Sequence, residues 1–133
     1  MNKYEIVKFV DEEVKLDVNI SPLEKTIWIN IEQMSVLFER DRSVISKHIK
    51  NIFLEGELLE DSVCAFFAHT ANDGKVYNVK YYNLDVVISV GYRVKSKRGV
   101  LFRQWASNII QDYLLKGYAI NEERSLVTNE NYV

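Results

Sequence analysis

The pattern of apolar and polar positions changes period along the chain. Before Pro22, the sole proline, residues 4–9 and 14–20 read as two short strands around the polar Asp11-Glu12-Glu13. Ile6, Val10, Leu16, Val18 and Ile20 are their expected apolar positions. Ser21-Pro22 is a turn signal, and Thr26-Ile27-Trp28-Ile29 is a short extended approach to a helical region.

From residue 31 the period becomes helical. Asn30 is placed to cap a helix starting at Ile31, with Gln33 at the third helical position as in a capping box. Ile31, Met34, Ser35, Leu37 and Phe38 share one face, and the helix must stop near Glu39-Arg40. Asp41 is a second N-cap candidate, opening a helix with Val44, Ile45, His48, Ile49 and Ile52 inside. The pair would span 30–53, with helices of about nine and about twelve residues crossing steeply over a tight turn.

Beyond Gly56, runs at 63–71 and 75–82 flank Asn72-Asp73-Gly74, a strong hairpin signal. Tyr77, Val79 and Tyr81 would share one face of this 62–82 hairpin. Asn83 is expected to cap a short helix, 84–91, ended by Gly91. A basic loop, 95–99, leads into the longest helix, 100–116, with Gly117 just past its end. Leu101, Phe102, Trp105, Ala106, Ile109, Ile110, Tyr113 and Leu114 form its wide apolar arc, part of which is a candidate homodimer face. The polar tail 121–133 is read as frayed. The fold class is α+β: N-terminal strands, a helix-turn-helix followed by a hairpin in a winged-helix-like order, a short helix and a long one. A single domain would cover 1–120.

Composition supports a real core: of 133 residues, 47% are hydrophobic and 12% aromatic. Lone Cys64 excludes an internal disulfide and reads as a small apolar core residue. The chain lacks the run of roughly 18 uncharged residues that a membrane helix needs, and a signal-peptide-like start is missing. The expectation is a cytoplasmic protein with no membrane partner.

The net charge of −2 is unevenly spread. Residues 1–24 carry three Lys and six acids, and 121–133 carry one Arg and three Glu. The middle, 25–120, carries 13 Lys/Arg against 10 acids. Within it, 40–50 holds Arg40, Arg42, Lys47 and Lys50 against Asp41 alone, and 93–103 holds Arg93, Lys95, Lys97, Arg98 and Arg103 with no acid. Such local clusters on a mildly acidic chain suit a module that touches phosphate at defined places.

A helix-turn-helix lays its second helix in the major groove of DNA and braces it with the first. It needs a small residue at the crossing, an apolar lock, and polar groups along the outer edge of the second helix. Ser35, Ile45, and then Arg42, Ser43, Ser46, Lys47 and Lys50 meet those needs. Arg can pair with guanine edges, and Ser and Lys reach bases or phosphates. One position departs from the usual pattern: Glu39 stands where the turn favours Gly, which costs roughly 1 kcal/mol at positive φ. The hairpin tip, with Lys75, and nearby Lys80 read as a wing over the DNA backbone or as a plain structural hairpin.

Many ordered blocks resemble the RhuM family of virulence-associated bacterial proteins. They include Thr26-Ile27-Trp28-Ile29, Ile45-Ser46-Lys47-His48-Ile49-Lys50-Asn51-Ile52-Phe53, Tyr81-Tyr82-Asn83-Leu84-Asp85, Gly91-Tyr92-Arg93-Val94-Lys95-Ser96 and Phe102-Arg103-Gln104-Trp105-Ala106. The later half is also similar, more weakly, to the N-terminal domains of Bro-type phage antirepressors. Both resemblances imply DNA binding in proteins of mobile or horizontally acquired elements. The chain is then a short member or the N-terminal part of a longer one.

Catalytic patterns are missing from the sequence. One Cys and two His on different elements do not make a metal site, and there is no phosphate-cradling loop or GxSxG elbow. The acids Glu55, Glu57, Glu60 and Asp61 read as a solvated helix end rather than a nuclease centre. The expectation is a non-enzymatic, cofactor-free transcriptional regulator that binds double-stranded DNA through Arg40, Arg42, Ser43, Ser46, Lys47, Lys50, Lys75, Arg93, Lys95, Lys97 and Arg98. The rival is a protein-interaction module on the same scaffold, with a nucleic-acid-processing enzyme behind it.

Overall fold

The computed structural model describes residues 5–116. Two strands, β1 (Glu5–Asp11) and β2 (Val14–Ser21), pair antiparallel around a turn in which Glu12 takes positive φ. Their register sets Val7 against Val18 and Phe9 against Leu16, and all four are buried. Ile6 and Val10, the expected apolar positions of β1, are each 54% exposed. Apolar residues occupy both faces of β1, so alternation alone cannot select the inner one. Packing does: Phe9 stands edge-on to Phe102 at 5.1 Å and to Trp105 at 5.2 Å.

After a turn closed by Lys25 N–H donating to the Pro22 carbonyl, β3 (Thr26–Ile29) continues the sheet. All four of its residues are buried. Helix α1 (Ile31–Phe38) starts directly from it, and the capping box is present: Gln33 N–H donates to Asn30 Oδ1, and Asn30 N–H donates to Gln33 Oε1. Helix α2 (Arg42–Leu54) follows after three residues and buries Ile45, Ile49 and Ile52. Asp41 sits at its N-cap but its side chain makes no capping bond; only its carbonyl accepts, from Val44 and Ile45. Val44 and His48, expected inside, are at the margin, exposed and half-buried respectively.

A one-turn helix, α3 (Glu60–Val63), leads into the hairpin of β4 (Cys64–Thr70) and β5 (Val76–Asn83). Gly74 takes φ of 85° at the turn, and Lys75 N–H donates to Asp73 Oδ1. The hairpin joins the N-terminal strands: β5 pairs with β3, giving one five-stranded antiparallel sheet in the order β1-β2-β3-β5-β4.

Asn83 caps α4 (Leu84–Arg93) through Asp85 and Val86 N–H. Gly91 does not end this helix, as its composition suggested; it lies inside it and is buried. A Cβ there would come within 3.1 Å of the Phe38 ring, so the missing side chain admits α1 rather than stopping α4. Helix α5 (Lys97–Lys116) begins three residues earlier than expected, so Lys97, Arg98 and Gly99 form its first turn rather than a loop. Phe102, Ala106, Ile109, Ile110 and Tyr113 are buried, whereas Leu101 and Leu114, expected in the buried arc, are 48% and 47% exposed. The helices and the inner faces of β1, β2 and β3 share one core. Gly117 and the tail 121–133 lie outside the described residues.

Candidate functional site

The turn between α1 and α2 is built from Glu39, Arg40 and Asp41. Glu39 adopts φ 54° and ψ 50°, the left-handed conformation that the sequence placed there. Three groups hold it. Ser35 Oγ donates to the Arg40 carbonyl at 2.6 Å, and the Arg40 N–H donates to the Ser35 carbonyl. The Arg40 guanidinium donates to the carbonyls of Phe38 and Glu39, and across to Val94 at the end of α4. From the other side, Arg98 donates to the Leu37 carbonyl and lies 3.4 Å from Glu39. The last turn of α1 has no basic residue of its own, so Arg40, just past its end, and the remote Arg98 satisfy its carbonyls.

The outward side of α2 presents Arg42, Ser43, Ser46, Lys47 and Lys50, all exposed. Arg42 lies 3.4 Å from Glu32, both side chains being about 70% exposed, which makes this a weak, screened pair. The N-terminal half of α2 faces the β4–β5 hairpin across an open cleft of about 1030 Å3. Arg42, Ser43 and Ser46 line one wall; His69, Asn78 and Lys80 line the other. His69 stacks on Tyr81 and shares a 3.0 Å hydrogen bond with its hydroxyl, while burial pushes the Tyr81 phenol above its ordinary range. Lys80 is bound to Glu60, which holds its ammonium above the usual lysine value. Lys75 stands exposed at the hairpin turn.

The second basic stretch is electrostatically different. Arg93 bonds Glu55 at 2.7 Å and Glu57 at 2.8 Å, which raises its already high pKa and tethers α4 to the end of α2. Glu57 also accepts from the Ser89 hydroxyl; Arg93 first and Ser89 second hold its carboxyl below the usual range. Arg98 bonds Asp11 at 2.9 Å and approaches Glu12 at 3.5 Å. Its side chain is only 13% exposed. Lys95, Lys97 and Arg103 remain exposed. The acids at 55, 57 and 60 are exposed, as expected of a solvated helix end, and they also pair with Arg93 and Lys80. Burial pushes the Cys64 thiol up to about 11, and its half-buried side chain packs against the core.

Sequence reasoning placed Arg40, Arg93 and Arg98 on phosphate, whereas the structure engages each with protein groups. The only local hint was that α1 lacks a C-terminal cation. Among the described residues, no group of three or more His, Cys, Asp or Glu is arranged to hold a metal, and no helix is long and apolar enough to cross a membrane.

A family model described as the Virulence protein RhuM family matches residues 62–132. The chain belongs to the RhuM family. The match starts within α3 and takes in the hairpin, α4 and α5, after the α1–α2 pair has ended. No match was found among curated proteins or solved structures. This RhuM-family match does not bear on the Bro-type similarity.

Proposed function

We propose that this RhuM-family chain is a sequence-specific DNA-binding module acting as a transcriptional regulator, with α2 entering the major groove of double-stranded DNA. The observation that carries the reading is the pairing of α2's two sides. Ile45, Ile49 and Ile52 anchor it, while Arg42, Ser43, Ser46, Lys47 and Lys50 stand outward on a helix fixed to α1 by a braced turn. A rigid helix with short polar and cationic side chains on its free side suits base-edge and phosphate contact together. The cleft beside it supports a winged-helix-like use of the hairpin, with Lys75 at the tip meeting backbone phosphate. Lys95 and Lys97 add exposed charge on a separate element. In this reading Arg40, Arg93 and Arg98 position the helices rather than touch DNA.

Selection from a random duplex library, followed by titration of the selected site, tests it. Binding should weaken as salt rises, by about 0.9 log units per log unit of salt for each phosphate contact. Lys47→Ala should cost about tenfold in affinity and shallow that slope by about one contact, while Arg42→Ala should also relax base preference. Failure to enrich any sequence, or unchanged affinity in both variants, would overturn the assignment of α2.

A further inference from the structure

The two edges of the sheet are protected very differently. The β1 edge carries Glu5, Lys8 and Asp11. Edge charges of this kind block pairing with another strand. At the opposite edge, β4 reads Cys-Ala-Phe-Phe-Ala-His-Thr, with no Lys, Arg, Asp, Glu or Pro. Among the described residues, no strand covers its outer side.

The hydrogen-bond phase of the hairpin identifies the groups that face outward. Ala71 N–H donates to the Lys75 carbonyl at 2.8 Å, which makes those two residues a bonded pair. Bonded and non-bonded pairs alternate in an antiparallel ladder. With the observed register, Ala65, Phe67 and His69 therefore bond to β5. The backbone groups of Cys64, Phe66, Ala68 and Thr70 point away from the sheet. The side chains along this edge are poorly covered: Phe66 is 67% exposed, and Ala68 and Thr70 are exposed too.

From this edge we infer that β4 pairs antiparallel with β4 of a second copy of this chain, joining two five-stranded sheets into one across a two-fold axis. Charge permits a second copy at β4 and opposes one at β1. In a two-fold antiparallel pairing each strand meets its own residues in reverse order, so a charged strand sets like charges opposite each other. Centred on Lys8, β1 would place Lys8 against Lys8 and Glu5 against Asp11. No register of β4 meets that penalty. The pairing that uses all seven residues centres on Phe67 and bonds Phe66 to Ala68 and Cys64 to Thr70 of the other copy. This interface differs from the α5 face, where Leu101, Leu114 and Leu115 are exposed, and it does not rest on the DNA-binding reading.

Sedimentation of the full chain without DNA tests it. The mass should rise from monomer to dimer with concentration. Ala68→Lys sets two lysines near the axis, and Ala68→Pro removes an outward N–H that β5 does not use. Each should leave a monomer at concentrations where the native chain is dimeric, with unchanged far-ultraviolet circular dichroism. Thus Ala68→Lys gives an answer even if the proline variant misfolds. A native chain that stays monomeric overturns the inference. So does a dimer that survives Ala68→Lys, including one that only Leu115→Lys disperses.

Discussion

The stretches 40–50 and 93–103 carry cations at similar density in the chain and differ in the fold. In the first, Lys47 and Lys50 stand exposed on α2, and Arg42 has only a solvent-screened neighbour in Glu32. In the second, Arg93 and Arg98 are drawn to acids 38 and 87 residues away, at Glu55 and Asp11. The same residue types thus do two jobs. One set leaves its charge exposed to solvent, and the other ties α5 to the N-terminal hairpin and α4 to the end of α2. A run of cations predicts available charge only when the fold brings no acids to it.

The largest effect expected from this contrast is on stability. Arg98→Ala removes a guanidinium that serves Asp11, the Leu37 carbonyl and Glu39 at once. Charge-assisted hydrogen bonds of this kind put the loss at about 2 kcal/mol. It should appear as a lower urea midpoint with an unchanged slope. Arg98→Lys keeps the charge without the planar fork and should recover only part of the loss. An unchanged midpoint in Arg98→Ala would erase the distinction between the two stretches.

A smaller effect separates them on DNA. Lys50→Ala should weaken binding about fivefold and shallow the salt dependence. Arg93→Ala, measured where the protein remains folded, should leave both nearly unchanged, because its guanidinium already faces two carboxylates. Equal losses in the two variants would mean that DNA competes Glu55 and Glu57 away from Arg93.

How much of this was legible in the sequence depended on range. The Asn30–Gln33 capping box, the Asp73-Gly74 turn and the left-handed Glu39 involve residues two or three apart or single backbone positions, so the local sequence specifies them. The polar side of α2 could be read because Ile45, Ile49 and Ile52 fix which way it turns. The inner face of β1 could not, since the aromatic contacts that choose Phe9 over Val10 come from α5. Gly91 signals a helix end by composition, but its reason is the Phe38 ring, 53 positions earlier in the chain. The joining of the hairpin to β3 rests on two residue pairs, Trp28 with Asn83 and Ile29 with Tyr82, which no short-range pattern announces. The ion pairs of Arg93 and Arg98 were illegible for the same reason: their carboxylate partners are remote in the chain.

The smallest effect is a pH dependence, and its sign comes from Glu57. Arg93 and Ser89 hold the native carboxyl below its ordinary value of 4.5. The folded chain therefore binds that proton less readily than the unfolded chain. The interaction is fully stabilising above about pH 4.5 and is lost as the pH falls through the lower native value. Urea midpoints of the native chain and of Glu57→Gln should differ by a constant amount near neutrality, and the gap should close in acid. Added salt should narrow it at neutral pH, because the Glu57 side chain is 43% exposed and the pair is screened. A gap that persists in strong acid would assign the effect to side-chain packing rather than charge, and Arg93 would then be less firmly held than the contrast with Lys47 and Lys50 requires.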